Sequence, residues 1–178
     1  MSAVKHLTLE QFHKLEARSE GPRLEYWHGE AVPKPMPTWL HSALQRILAD
    51  MFEAAGYFAA VELELRIDPD WEPKPDVAAA LLLEEPYPTR PIEIVAEVLS
   101  PDDEPARTLA KCRNYHRIGT GRIYIFDPIK RTAWVWDAVA DDLVSMYVMD
   151  LGNETVVPVA RVWAALDRKM RRSSSPLL

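Results

Sequence analysis

The stretch PDVAAALLLEEPYPTRPIEIVAEVLSP, residues 75–101, decides the fold. Two apolar runs, 76–83 (DVAAALLL) and 92–99 (IEIVAEVL), flank a turn from Glu84 to Pro91 punctuated by Pro86, Pro88 and Pro91. Near-continuous apolar runs of this length suit strands buried on both faces, so the pair reads as a strand–turn–strand unit at the centre of a sheet. Asp76 opens the first run, and Glu97 sits near the end of the second. Their midpoint, 86.5, falls inside the turn. An antiparallel pairing about it therefore sets them opposite each other, with Cβ atoms about 4.5–5.5 Å apart. Carboxylates that close repel unless a cation sits between them or one binds a proton. Hard oxygen ligands suit Mg²⁺ or Mn²⁺. The other reading is that they mark a sheet edge and bond Arg or water.

On the N-terminal side, Thr8 and Gln11 form a capping-box pattern, and Phe12 and Leu15 give a short helix ended by Gly21-Pro22. Residues 23–32 read as two short strands turning at His28-Gly29. Pro33, Pro35 and Pro37 mark an extended connector. Leu40, Leu44, Ile47, Leu48 and Met51 recur at helical spacing over 38–55, and Gly56 is a C-terminal stop. The alternation in 57–67 predicts a half-buried strand. On the C-terminal side, a helix is expected over 102–118, its acidic start and basic remainder suiting the helix dipole. Strands follow at 122–126 and 132–137, joined at Pro128, and a further one near 143–149 completes a meander. Residues 158–170 suggest a last helix carrying Val162, Trp163 and Leu166, and 171–178 a disordered tail. The expectation is a single α/β domain over 1–170, a mixed central sheet flanked by helices.

Composition bounds the function. With 178 residues, 21 Lys/Arg against 27 Asp/Glu and a net charge of −6, the chain makes one ordinary globular domain. A single cysteine, Cys112, excludes a disulfide framework and a Cys-rich zinc site. No run approaches the roughly 18 apolar residues of a membrane span, and residues 1–10 lack a signal-peptide core. A soluble cytoplasmic protein without a membrane partner is expected. Residues 1–106 carry nine Lys/Arg and twenty Asp/Glu, −11, whereas 107–178 carry twelve and seven, +5. Between Arg107 and Arg131 seven basic residues face only Asp127. Such a stretch is either an electrostatic footprint for phosphate or a solvated helix face.

Several pieces in order resemble one family. They are LTLEQF (7–12), LEYWHGE (24–30), His41 opening a helix, PDV (75–77), EVLSP (97–101), then Lys111, Tyr115 and Gly119, then IYIFDP (123–128). Over residues 7–137 the chain is similar to the Uma-two family of restriction endonucleases, within the PD-(D/E)XK nuclease superfamily. The resemblance implies a restriction-endonuclease-like core and metal-dependent hydrolysis of a nucleic-acid phosphodiester, of DNA in the first place and of RNA as the alternative. It implies that Asp76 and Glu97 hold Mg²⁺ or Mn²⁺, and that a lysine near the second acid orients the attacking water. The usual place for that lysine, two residues after the acid, holds Leu99. The candidate replacement is Lys111, which on a helical wheel lies about 40° from Tyr115, at the border of the Leu109–Cys112–Tyr115 stripe, where it either points inward or snorkels at the surface. Arg113 and Arg117 fall on the opposite side. Glu25 matches the family's early acid, as a third carboxylate near the metal or as a strand salt-bridge acid, and His41 is a ligand, a base or a structural residue. Gln45, one turn on, supports the same site. Arg107 stands where many members carry Asp. With Arg113 and Arg117 it is expected to position the phosphate backbone. Leu99 and Arg107 also admit a nuclease-fold protein that binds nucleic acid or a partner without cutting. A homodimer is expected, with Trp134, Trp136 and Tyr147 as a candidate exposed patch.

Overall fold

The computed structural model describes residues 6–173. In chain order the elements are α1 (Leu9–Glu16), β1 (Leu24–Trp27), β2 (Glu30–Pro33), α2 (Trp39–Ala54), β3 (Phe58–Val61), β4 (Trp71–Glu72), β5 (Val77–Ala80) and β6 (Ile94–Val98). They continue with α3 (Pro105–Arg117), β7 (Arg122–Asp127), β8 (Thr132–Asp137), β9 (Asp142–Ser145), β10 (Val148–Gly152), β11 (Thr155–Pro158) and α4 (Val159–Ser173). The main sheet has six strands in the order β3-β5-β6-β7-β8-β9. Only β6 and β7 run parallel, joined by α3 as the crossover that parallel neighbours require. The other pairs are antiparallel. This is a restriction-endonuclease-like mixed sheet flanked by helices.

Both faces of the sheet are covered, which is why 75–101 reads as continuous apolar sequence. Val77, Ala79, Ile94, Ala96 and Val98 pack with Leu44, Leu48 and Phe52 of α2 and with Val162 and Leu166 of α4. Ala78, Ala80 and Val95 pack with Trp71 and with Cys112, Tyr115 and Ile118 of α3 or its end. The alternation of strand residues between the two clusters is the period-two geometry of a pleated sheet. Thr8 accepts from Gln11 N and donates its own N–H to the Gln11 side chain, completing the expected capping box. Gly56 stops α2 at φ +94°, a conformation that favours glycine.

Several boundaries differ from expectation, each for a local reason. The helix α1 closes at Glu16, well before Gly21-Pro22. The strand expected over 57–67 ends at Val61, because Glu62 adopts φ +53° and turns the chain away. Leu81 and Leu82 leave the sheet and are exposed. Pro105 occupies the first turn of α3, so Asp102 and Asp103 belong to the preceding turn, where Asp103 accepts from Ser100 N. The segment near 143–149 is not one strand. Its first part, β9, completes the meander, and the rest, β10, pairs with β11 in a separate ribbon. The aromatic patch does not form as one surface: Trp136 is buried in the α3-side cluster and Tyr147 is exposed. Helix α4 continues past 170 to Ser173, and residues 174–178 of the expected tail lie outside the described residues.

Candidate active site

The site forms where the β5–β6 ladder ends. Val77 pairs with Ala96, so Asp76 and Glu97, one step further, stand opposite each other as the symmetric turn predicts. Both belong to the strand positions that face α3, together with Ala78 and Val95. Asp76 Oδ2 accepts from Val98 N at 2.7 Å, which ties the acid to the end of β6. Glu97 Oε1 accepts from the Tyr115 hydroxyl at 2.6 Å. Lys111 Nζ, one turn before Tyr115 on α3, lies 3.2 Å from both Glu97 oxygens. It is also 3.3 Å from Glu25 Oε1. The small sheet β2-β1-β4 delivers Glu25, whose remaining lone pairs accept from Lys74 N at 2.9 Å and Trp27 Nε1 at 3.2 Å. From the opposite wall α2 presents Gln45, whose Nε2 donates to Asp76 Oδ1 at 3.2 Å. His41 Nε2 is 3.1 Å from the same oxygen, yet is too poorly aligned to bond it and is left as a buried nitrogen without a hydrogen-bond partner. Its Nδ1 meets Ser100 Oγ at 3.5 Å.

The structure thus gathers Asp76, Glu97, Lys111, Glu25 and His41 in one cleft, with Gln45 bonded to Asp76 outside its lining, and adds Lys34. That lysine is buried, with Nζ 2.8 Å from Asp76 Oδ1 and 2.5 Å from the Lys74 carbonyl. It sits between Pro33 and Pro35 at the end of β2, where neither periodicity nor motif marks it in the sequence. Of the three arginines, Arg107 lines the cleft and lies over the Trp27 ring at 5.4 Å. Arg113 is held by Asp141 at 2.9 Å and Arg117 by Asp68, both exposed and outside the cleft lining.

The charges of the site are unevenly set. Burial pushes the Glu97 carboxyl above the ordinary range; Lys111 opposes this, and the charge of Asp76 adds to it. Burial acts on Asp76 too, but Lys34 and His41 outweigh it and hold that carboxyl well below the usual range. Glu25 is likewise held low by Lys111 and Lys34 against its burial. Burial alone would discharge Lys111, but Glu25, Glu97 and Asp76 keep its ammonium protonated above the usual lysine value. Asp76 and Glu97 offer buried hard oxygen atoms of the kind that Mg²⁺ or Mn²⁺ takes. Asp76 and Glu97 would be the residues to hold such an ion.

Among the described residues, one group of three does bring its ligand atoms within 4.8 Å of one another: His13, Glu64 and Glu72, away from this cleft. Its Glu64 oxygens are taken by Arg66 at 2.6 Å and Lys74 at 2.7 Å, while Lys74 also bonds Glu16 at 2.7 Å. His13 meets Glu72 at 2.6 Å. This is an ion-pair lock that docks α1 onto the body.

Comparison with known proteins agrees with this architecture. A family described as "Putative restriction endonuclease" (Uma2) matches residues 9–167. The crystal structure of a "putative nuclease belonging to DUF820" from Anabaena variabilis ATCC 29413 superposes with a TM-score of 0.75 at 21% identity. The match covers 90% of this chain and 99% of that one, so the two share a fold. A cryo-EM structure of a DrdV–DNA complex overlaps with a TM-score of 0.39 at 16% identity, over 74% of this chain and 11% of that one. No curated protein matches. With 159 consecutive positions from 9 to 167 matched, the chain belongs to the Uma2 family.

Proposed function

We propose that the protein is a metal-dependent endonuclease that hydrolyses phosphodiester bonds of DNA, with Mg²⁺ or Mn²⁺ held by Asp76 and Glu97. The observation that carries this reading is Lys111 Nζ, 3.2–3.3 Å from Glu97 and Glu25 in the cleft that Asp76 also lines. It supplies the cationic group that Leu99 cannot. A bound divalent ion contributes Lewis-acid polarisation of the scissile phosphate and a more acidic water. Lys111 is too firmly protonated to act as a base, so it orients the water and offsets developing negative charge. His41, 3.1 Å from Asp76 Oδ1, serves as a ligand, as a base or as a support of that acid. Gln45 and the Val98 amide keep the Asp76 carboxylate in one orientation. Arg107, at the cleft wall, meets the phosphate backbone first. Arg113 and Arg117 would have to exchange Asp141 and Asp68 for phosphate to take part.

The test is cleavage of DNA and RNA with Mg²⁺ or Mn²⁺ by the wild type, Asp76→Asn and Lys111→Met. The expected result is metal-dependent cleavage of DNA that both substitutions abolish. Activity surviving both would remove the assigned site, and cleavage of RNA alone would reassign the substrate. A second reading, a nuclease-fold module that binds nucleic acid without cutting, is favoured by Leu99 and by the nitrogen donors crowding Asp76. Binding without cleavage of any substrate supports it. The working form proposed is a cytoplasmic homodimer, so that two clefts can address two strands. A solution mass of only 20.3 kDa would overturn the dimer. No described helix is long and apolar enough to cross a membrane.

A further inference from the structure

Asp76 Oδ1 is crowded. Lys34 Nζ stands 2.8 Å from it, His41 Nε2 3.1 Å and Gln45 Nε2 3.2 Å. The other oxygen, Oδ2, already accepts from Val98 N. A carboxylate oxygen has only about two lone-pair sites, and Lys34 and Gln45 already stand at this one while His41 crowds it without bonding, so a cation reaches Oδ1 only when one of its neighbours leaves. His41 and Gln45 are one turn apart on α2, whose other face is packed into the core. Lys34 differs from both: it is a full positive charge, and it hangs on a flexible four-carbon stem. The prolines on either side fix their own φ and steady the backbone, so movement is left to the side chain. That side chain lines the same cleft as Asp103, Glu104 and Arg107.

Charge balance favours the same exchange. Glu25, Asp76 and Glu97 bring three carboxylates, Lys34 and Lys111 two ammoniums. A divalent cation added with both lysines in place leaves a net positive charge in a buried site. With Lys34 released the set is neutral, the cheaper arrangement away from water. Lys111 is the poorer one to lose, because it spans Glu25 and Glu97 at once.

We infer that Lys34 is a built-in competitor of the divalent cation: its ammonium and the metal alternate on Asp76 Oδ1, and Lys34 thereby sets how much metal the site requires. The inference rests on the reading of Asp76 as a metal ligand. The experiment is calorimetric titration of full-length wild type, Lys34→Met, Lys34→Gln and Asp76→Asn with MnCl₂, with thermal melts of each. Both Lys34 variants are expected to bind Mn²⁺ roughly fivefold or more tightly than the wild type. Without metal they melt lower, because Asp76 loses its cation, and Mn²⁺ raises their midpoint by more than it raises the wild type's. Asp76→Asn removes binding. If the wild type binds Mn²⁺ and the variants bind equally or more weakly, the competition is overturned while the metal site stands. If none of the proteins with Asp76 intact binds Mn²⁺, the metal-site reading falls and takes the competition with it. Should both Lys34 variants be unfolded without metal, Mn²⁺ is expected to refold them, and no refolding overturns the inference.

Discussion

Lys111 is the residue on which sequence and structure bear most directly. Its place in the cleft was legible mainly through the family's spacing, because the helical period sets it only at the border of the face that buries Tyr115. Lys34 was not legible. It reaches Asp76 across 42 positions through the pairing of short strands, and a lone lysine between prolines looks like any exposed connector. The electrostatics give both lysines a structural role. Removing Lys111 strands Glu25 and Glu97 without a cation, and breaking a buried pair in this way costs about 3–5 kcal/mol. Lys111→Met is therefore expected to lower the urea-unfolding free energy by about that much. The double variant Lys111→Met/Glu97→Gln should recover part of it. Equal stability of the single variant and the wild type would show that the acids find other partners. The neighbouring Cys112 is buried, and its burial pushes the thiol up to about 12. It should label with a maleimide only after urea unfolding, since the thiolate is the reactive form. Rapid labelling of the folded protein would show that α3 opens.

The elements divide by the range of the interactions that make them. The β5–β6 hairpin and α2 were readable because their signals are local: a symmetric turn, an apolar period, and Gly56 at the end. The β1–β4 pairing and the β10–β11 ribbon were not. A two-residue strand such as β4 has no periodicity to show, and the break at Met146 interrupts an otherwise plausible strand. Yet β1 and β4 bring Glu25 to the site, and the loop after β4 carries Lys74 to its backbone contact. The ion-pair lock of Lys74, Glu64 and Glu16 secures α1 over this unit. Burial raises the Glu64 carboxyl, but Lys74 and Arg66 outweigh it and hold the group below its usual value of about 4.3. A depressed carboxyl contributes stability that is fully present above the unfolded value and is lost as pH falls through the folded one. Glu64→Gln is expected to be less stable than wild type at pH 7, with a difference that shrinks below about pH 4.3. Urea midpoints measured from pH 3 to 7 check this, and a difference independent of pH would show that the lock does not depend on the Glu64 charge.

For the molecule as a whole, the charge split of −11 and +5 was plain in the sequence, but its use was not. Folding pairs much of the basic half with acids: Arg113 with Asp141, Arg117 with Asp68, Arg122 with Asp150 and Arg131 with Asp167. Seven basic residues between 107 and 131 look like a broad phosphate footprint. The folded surface instead leaves a narrow one near Arg107, beside the acids of the cleft. Phosphate binding releases condensed counterions, so the salt dependence of affinity counts the contacts made. If all seven engaged, log K against log salt would fall with a slope of about −6, whereas a narrow footprint predicts about −2 to −3. The measurement is fluorescence anisotropy of labelled duplex DNA with Asp76→Asn, which is expected to bind without cutting, over a range of KCl concentrations. Arg107→Ala should make that slope shallower by about one. Arg113→Ala should leave it unchanged, because Asp141 already neutralises that guanidinium. A slope near −6 that Arg113→Ala reduces would mean that the surface ion pairs open to meet the backbone, and that DNA lies along the whole of α3 instead of across the cleft mouth.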